Sequence, residues 1–127
     1  MPDKLKVLVI DDNVNFLQLA ELALAGEYDV STAADGQEGM EKAGRNRPDV
    51  ILLDVMMPRV SGLEMLRMLL SDETTRDIPV LVLTASHFDP STEQVFMQER
   101  NVKGFLQKPC PVDVLKGAIN SAITKKE

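Results

Sequence analysis

Three uninterrupted apolar runs constrain the fold more than any other feature of this sequence. They are rich in β-branched residues, do not alternate with polar ones, and cover Val7 to Ile10, Val50 to Leu53 and Val80 to Leu83. A strand with one face in water alternates, so these runs predict strands buried on both faces, as in a parallel sheet covered by helices. Two weaker strands are predicted over Tyr28 to Ala33 and Val102 to Leu106.

Helical patterns separate the predicted strands. They cover Asn13 to Ala25, Asp35 to Arg45, Gly62 to Ser71, Pro90 to about Arg100, and a segment beginning at Pro111. Asp35 followed by Glu38 is a variant of the capping box, and Asp89-Pro90 is typical of an N-cap followed by proline in the first turn. Five strands alternating with five helices predict an α/β fold, a doubly wound parallel sheet with right-handed crossovers.

Composition limits the domain count and the partners. The 127 residues are 44% hydrophobic and 27% charged, which is typical of a globular chain, and we expect a single domain over residues 1–127. Twenty acidic residues against fourteen basic ones give a net charge of -6. Modules that bind nucleic acid directly are normally basic, so we expect no direct nucleic-acid binding.

The chain has too few cysteines and histidines for a disulfide framework or a metal site made of these residues. One of each, Cys110 and His87, leaves no disulfide framework and no multi-histidine metal site. Cys110 stands at the predicted start of the last helix, a position that can lower the pKa of a thiol. The first apolar run is too short for a signal peptide and no stretch approaches a membrane span, so we expect a cytoplasmic protein with no membrane partner.

Polar side chains follow the apolar runs at the point where each predicted strand ends. They are Asp11 and Asp12, Asp54, Thr84 and Lys108. Parallel strands end at the same edge of a sheet, where α/β folds bind their ligands, so these side chains are expected to share one cleft. Three carboxylates in one cleft repel each other and favour a divalent cation, and an all-oxygen ligand set favours Mg²⁺ over Zn²⁺.

Each of these residues also has an ordinary structural interpretation. Asp12 is a suitable cap for the first helix. Asp54 is acceptable as a turn residue before Pro58, Thr84 as a strand residue, and Lys108 as a solvated surface cation. Their joint placement at the strand ends is what favours a functional site.

The ordered motifs of the chain resemble the receiver domain of two-component response regulators, of the chemotaxis single-domain type. The residues that carry the resemblance are Asp11-Asp12, the segment Asp54-Val55-Met56-Met57-Pro58-Arg59-Val60-Ser61-Gly62, Thr84-Ala85 and Lys108-Pro109. The resemblance extends over about Leu5 to Ile123. It implies a flavodoxin-like sheet with strand order 2-1-3-4-5.

The resemblance also implies a role for each motif residue. Asp54 would be the phosphoacceptor, and Asp11, Asp12, Asp54 and the backbone carbonyl of Met56 would hold Mg²⁺. Lys108 would bind the phosphoryl group. Thr84 would hydrogen-bond it after transfer, and Phe105 would be the switch aromatic whose ring turns inward.

The function implied is a phosphorylation-dependent signalling switch rather than a turnover enzyme. The phosphoryl donor would be a sensor histidine kinase or a histidine phosphotransfer protein, and the output a protein contact formed by residues of about 89–123. We expect a monomer before phosphorylation, with a dimer after it left open. Two alternatives stay open: a receiver excised from a larger regulator or hybrid kinase, and a receiver that only docks and is never phosphorylated.

Two other classes of protein fit the sequence less well. A hydrolase of the haloacid-dehalogenase type needs an Asp-x-Asp motif after the first strand, whereas this chain has Asp11-Asp12-Asn13-Val14. A flavin or dinucleotide module needs a phosphate-binding loop rich in Gly, Ser or Thr at that position.

Overall fold

The computed structural model describes residues 4–54, 62–84, 90–108 and 110–125. Within them five strands form one sheet: β1 Leu5–Ile10, β2 Tyr28–Ala33, β3 Val50–Asp54, β4 Val80–Thr84 and β5 Val102–Gln107. The strand order is β2-β1-β3-β4-β5, and every neighbouring pair is parallel. The fold class and the strand order expected from the sequence are therefore confirmed.

Five helices connect and cover the strands. They are α1 Val14–Leu24, α2 Gly36–Asn46, α3 Gly62–Ser71, α4 Pro90–Met97 and α5 Val112–Lys125. None of the helices in the described ranges has the length and hydropathy needed to cross a bilayer.

Two apolar clusters hold helices onto opposite faces of the sheet. Leu8, Ile10, Ile51 and Leu53 point to one face, where they join buried residues of α2 and α3. Val7, Val9, Val50 and Leu52 point to the other face, where they join buried residues of α1 and α5. All residues of β3 and β4 are buried. This explains why their sequences do not alternate.

Side-chain caps begin α1 and α2. The Asn13 carboxamide oxygen accepts a hydrogen bond from the Phe16 backbone N–H at 3.2 Å. Asp35 accepts one from the Glu38 N–H at 2.8 Å, and the Glu38 carboxylate accepts one from the Ala34 N–H at 2.7 Å. In a standard capping box the Glu38 carboxylate would bond the N–H of the cap residue, Asp35. Here it bonds the N–H of the preceding residue, Ala34.

Three helix ends differ from the sequence prediction, and α1 ends at Leu24, one residue before the predicted Ala25. α4 ends at Met97 rather than near Arg100, because the chain turns and Glu99 N–H bonds the Phe96 carbonyl at 3.1 Å. α2 extends to Asn46, one residue beyond the prediction, and is capped by Arg47 in the left-handed region, with φ 48°. Proline follows at position 48 and cannot continue the helix, so the chain leaves α2 here without a glycine.

Candidate functional site

Three carboxylates meet at the edge of the sheet where the strands end. Asp11 follows β1, Asp54 is the last residue of β3, and the two strands are neighbours with Ile10 paired to Leu53. Asp11, Asp12 and Asp54 each offer one oxygen, and these oxygens lie within 4.8 Å of one another. Parallel pairing of β1 with β3 therefore brings Asp11 and Asp54 together.

Asp11 is fully buried and both of its carboxylate oxygens are bonded. Its Oδ1 accepts a hydrogen bond from the Asn13 N–H at 2.9 Å, and its Oδ2 accepts one from the Lys108 ammonium. Its own N–H donates to the Ala33 carbonyl at 3.0 Å, so β2 also fixes its position. Asp11 is therefore held in the cluster by hydrogen bonds through both its side chain and its backbone.

Asp12 is exposed beside this buried group. The cap of α1 is Asn13, so the interpretation of Asp12 as the helix cap is wrong. Its carboxylate instead belongs to the acidic cluster with Asp11 and Asp54.

Lys108 reaches the acids from the end of the last strand. Its N–H donates to the Thr84 carbonyl at 2.8 Å, which extends the pairing of β5 with β4. Its ammonium bonds Asp11 and lies 3.6 Å from Oδ2 of Asp54, and the side chain is only 13% exposed. The surface-cation interpretation of Lys108 is therefore wrong.

Thr84 and Phe105, the two predicted switch residues, lie on neighbouring strands. Thr84 is the buried last residue of β4, at the same edge as the carboxylates. Phe105 is half-buried on β5 and its ring lies 6.2 Å from the ring of Phe96 on α4, with the planes tilted by 49°. The switch role of this pair stays a prediction.

Among the residues that the structure describes, negative charge at the site exceeds positive charge. The Lys108 ammonium contacts Asp11 and Asp54, so one positive charge stands against the three carboxylates of the cluster when all these groups are ionised. Burial raises the pKa of the Asp11 carboxyl above its ordinary value, and the nearby Asp54 adds to this, while the bonds from Lys108 and the Asn13 N–H oppose it. The site therefore favours the arrival of further positive charge.

The residues present fit a magnesium ion. Mg²⁺ prefers oxygen ligands at about 2.0–2.1 Å, so ligands on opposite sides of the ion lie about 4.2 Å apart. The three carboxylate oxygens here lie within 4.8 Å of one another. Exposed Asp12 leaves the cluster open to water on one side, as suits an ion that keeps part of its hydration shell. Met56, the predicted fourth ligand, and Ala85 lie outside the described residues.

Sequence reasoning missed Phe16 as a residue of this site. The Lys108 ammonium lies over the Phe16 ring, 4.0 Å from its centroid. The sequence shows Phe16 only as one apolar residue in the pattern of the first helix. Its position one turn after Asp12 was the available signal, because the first turn of a helix that follows a strand faces the same sheet edge.

This fold and this site define a class of protein. A model of the response regulator receiver domain family matches residues 7–120. The chain therefore belongs to the receiver domain family of two-component response regulators.

Particular relatives support this membership. The response regulator PleD of Caulobacter vibrioides is 43% identical over 105 residues, which cover 82% of this chain and 23% of PleD. The response regulator MprA of Mycobacterium leprae is 36% identical over 122 residues, which cover 95% of this chain and 52% of MprA. The chain thus spans well under two thirds of the length of these relatives.

Solved structures agree with the sequence relatives. A response regulator receiver domain protein from Clostridium thermocellum superposes with a TM-score of 0.86 at 34% identity, covering 96% of both chains. The chemotaxis protein CheY4 of Vibrio cholerae superposes with a TM-score of 0.85 at 32% identity, covering 94% of this chain and 98% of that one.

Proposed function

We propose that this chain is a phosphorylation-dependent switch in which Asp54 accepts the phosphoryl group. The observation that carries the proposal is the position of Asp54 at a strand end, between an ammonium at 3.6 Å and two further carboxylates. A phosphoryl group added there would be met by positive charge on one side and by a cation-binding cluster on the other.

The position of Asp54 beside the Lys108 ammonium supports it as the acceptor, because that ammonium can offset the charge of the group it receives. We assign Asp11 and Asp12 to hold Mg²⁺, together with Asp54 and the Met56 carbonyl. When bound, Mg²⁺ would neutralise phosphoryl charge and orient the group for transfer.

The proposed transfer needs little from the protein beyond positioning and charge. An Asp54 oxygen attacks phosphorus, and the bond from phosphorus to a histidine nitrogen of the donor breaks. The products are an acyl phosphate on Asp54 and a free imidazole on the donor. The Lys108 ammonium donates a further N–H to a phosphoryl oxygen, which offsets the negative charge that the acidic cluster would otherwise repel.

Thr84 and Phe105 are proposed to transmit the effect of Asp54 phosphorylation to the rest of the domain. The Thr84 hydroxyl would hydrogen-bond the new phosphoryl group, and the Phe105 ring would turn inward into the space that this movement opens. Signalling is then a population shift between two conformers, biased by contacts that only the phosphorylated state makes.

Partners and output belong to the same proposal. Receiver domains act with histidine kinases or phosphotransfer proteins and with downstream targets. We place the donor among these proteins, the downstream surface within residues 89–123, and the protein in the cytoplasm as a monomer before phosphorylation. The structure describes 90–108 and 110–123 of that surface. The chain would catalyse its own phosphorylation and dephosphorylation without turning over a separate substrate.

The test is formation of a phosphoryl adduct. Incubation with acetyl phosphate and Mg²⁺ should add one phosphoryl group, located on Asp54 by mass spectrometry after borohydride trapping. Asp54→Asn should abolish the adduct, whereas Asp72→Asn, an exposed acid on the turn after α3, should leave it unchanged. An absent adduct, or one that persists in Asp54→Asn, would overturn the proposal and favour a docking module.

A further inference from the structure

The Lys108 ammonium lies between two different kinds of surface. On one side it bonds the Asp11 carboxylate and approaches Asp54 to 3.6 Å. On the other side it faces the ring of Phe16, 4.0 Å from the centroid. A cation within about 6 Å of an aromatic face is attracted by the negative face of the ring, and more strongly when water is excluded. With 13% of its side chain exposed, Lys108 is largely shielded from water.

Phe16 is fixed in place by the same residues that order the acidic site. The Asn13 N–H bonds Asp11, and the Asn13 side chain bonds the Phe16 N–H at 3.2 Å. The Phe16 ring then faces the Lys108 ammonium, and that ammonium returns to Asp11. The four residues form a closed circuit of contacts that joins the start of α1 to the end of β5.

The surroundings of the ring strengthen the contact. Phe16 is half-buried and packs against the cluster between the sheet, α1 and α5. Phe16 and Lys108 both line an apolar groove of about 490 Å³ between these two helices, together with Leu19, Ala23 and Val112. An apolar wall screens the contact less than water does, so the attraction of the ring for the ammonium is greater here than on an open surface.

We propose that Phe16 is a positioning residue for the phosphoryl-transfer site. The ring attracts the ammonium without accepting a strong hydrogen bond, so the three N–H groups of Lys108 stay available for Asp11, Asp54 and an incoming phosphoryl oxygen. The inference rests on the proposed function, because it assigns Phe16 a role in the reaction of Asp54.

Replacing the ring should slow phosphorylation without changing its site. Phe16→Leu keeps an apolar side chain but removes the aromatic face, and we expect the rate of Asp54 phosphorylation by acetyl phosphate with Mg²⁺ to fall about three- to tenfold. Phe16→Tyr keeps the face and should restore most of the rate. Leu22→Ala is the matched control on the same helix, because Leu22 is 80% exposed, and it should react like the unmodified protein.

Fluorinated phenylalanines separate attraction from packing. Fluorine makes the ring face less negative while changing its shape little, so one, two and three fluorines at position 16 should lower the rate stepwise. A ring that only fills space would give equal rates along the series. As an independent readout, the Lys108 side-chain protons in lysine-labelled protein should show upfield ring-current shifts in the unmodified and Phe16→Tyr proteins, and lose them in Phe16→Leu.

The outcomes distinguish this inference from the proposed function. If Asp54 is phosphorylated but the Phe16→Leu and fluorinated proteins react at the unmodified rate, the inference is overturned and the proposed function stands. If the unmodified protein forms no adduct on Asp54, the proposed function fails. In that case the ring-current shifts at Lys108 test the Phe16–Lys108 contact separately. Their absence would overturn the inference as well.

Discussion

Asn13 and Lys108 each contribute both to local secondary structure and to the geometry of the site. Asn13 begins α1 with its side chain and donates its N–H to Asp11, so the helix start and the acidic cluster share one residue. Lys108 continues the pairing of β5 with β4 through its backbone and bonds Asp11 through its ammonium. A change at either residue would therefore disturb local structure and site geometry together.

Most of the site residues could be predicted because their positions follow from strand ends. Asp11, Asp54 and Thr84 come directly after buried runs, Lys108 follows the less buried β5, and parallel strands end at one edge. The Phe16 contact could not be predicted in this way, since it depends on the direction taken by the long side chain of Lys108. Sequence patterns record where a residue lies on an element and carry little information about which conformer a lysine adopts.

Cys110 differs from the expectation for a helix start. Burial raises the pKa of its thiol above the ordinary value of 9.0, so a smaller fraction is thiolate at neutral pH than in a free thiol. We expect iodoacetamide to alkylate Cys110 more slowly than a small free thiol at pH 7, with the rate rising with pH and levelling off at a higher pH than for the free thiol. The alkylation rate against pH, measured by mass spectrometry, checks this.

Unfolded protein is the control for the cysteine prediction. In concentrated urea the burial is lost, and the rate at pH 7 should rise to that of an unstructured cysteine peptide. Equal rates in folded and unfolded protein would show that burial does not control this thiol.

Among the elements, α2 shows how closely helix and sheet are packed. A Cβ added at Gly39 would lie 2.7 Å from Cδ1 of Ile10 and 3.1 Å from Cε of Met65, both fully buried side chains. One turn and a residue further on, a Cβ at Gly44 would meet only the Thr74 hydroxyl, at 3.8 Å. Neither glycine has a positive φ, so alanine fits the backbone at both positions.

These two glycines should therefore respond differently to replacement by alanine. Gly44→Ala should raise the free energy of unfolding by about 0.5–1 kcal/mol, because alanine is the better helix former. Gly39→Ala gains the same propensity but forces extra volume into a packed core, which costs about 1–3 kcal/mol, so its net effect should be neutral to destabilising. Urea unfolding of both variants measures the difference. A Gly39→Ala protein as stable as Gly44→Ala would show that the core yields easily.

Element boundaries were predictable only where local chemistry decides them. The α3 range and the cap at Asp35 depend on nearby residues, and the sequence contains those residues. The turn that ends α4 leads to Asn101, a buried side chain whose amide donates to the Leu66 carbonyl on α3 at 3.2 Å. That long-range bond helps fix where the chain turns toward β5, and no pattern within the helix encodes it.

For the whole molecule, a cation bound at the acidic cluster should raise the free energy of unfolding. An ion that binds the folded cluster and not the unfolded chain stabilises the fold by mass action, about 1.4 kcal/mol at tenfold its dissociation constant. We expect added Mg²⁺ to raise the Tm and EDTA to reverse the rise. Differential scanning calorimetry at constant ionic strength measures both.

Matched variants make the metal prediction specific. Asp12→Asn removes the exposed carboxylate of the cluster and should reduce the Mg²⁺-dependent rise in Tm, whereas Glu21→Gln, an exposed acid on α1, should leave it intact. An equal rise in both variants would place the bound ion elsewhere on the acidic surface.

The separation of Lys108 from Asp11 by 97 positions has a consequence for how the molecule is made. A ribosome releases Asp11, Asp12 and Asp54 well before Lys108, so the acids are synthesised long before the cation that joins them. Pairing of β5 with β4 delivers that cation and relieves the repulsion among the acids, in addition to burying apolar surface. Electrostatics thus favours pairing of the fifth strand once the three acids have been brought together.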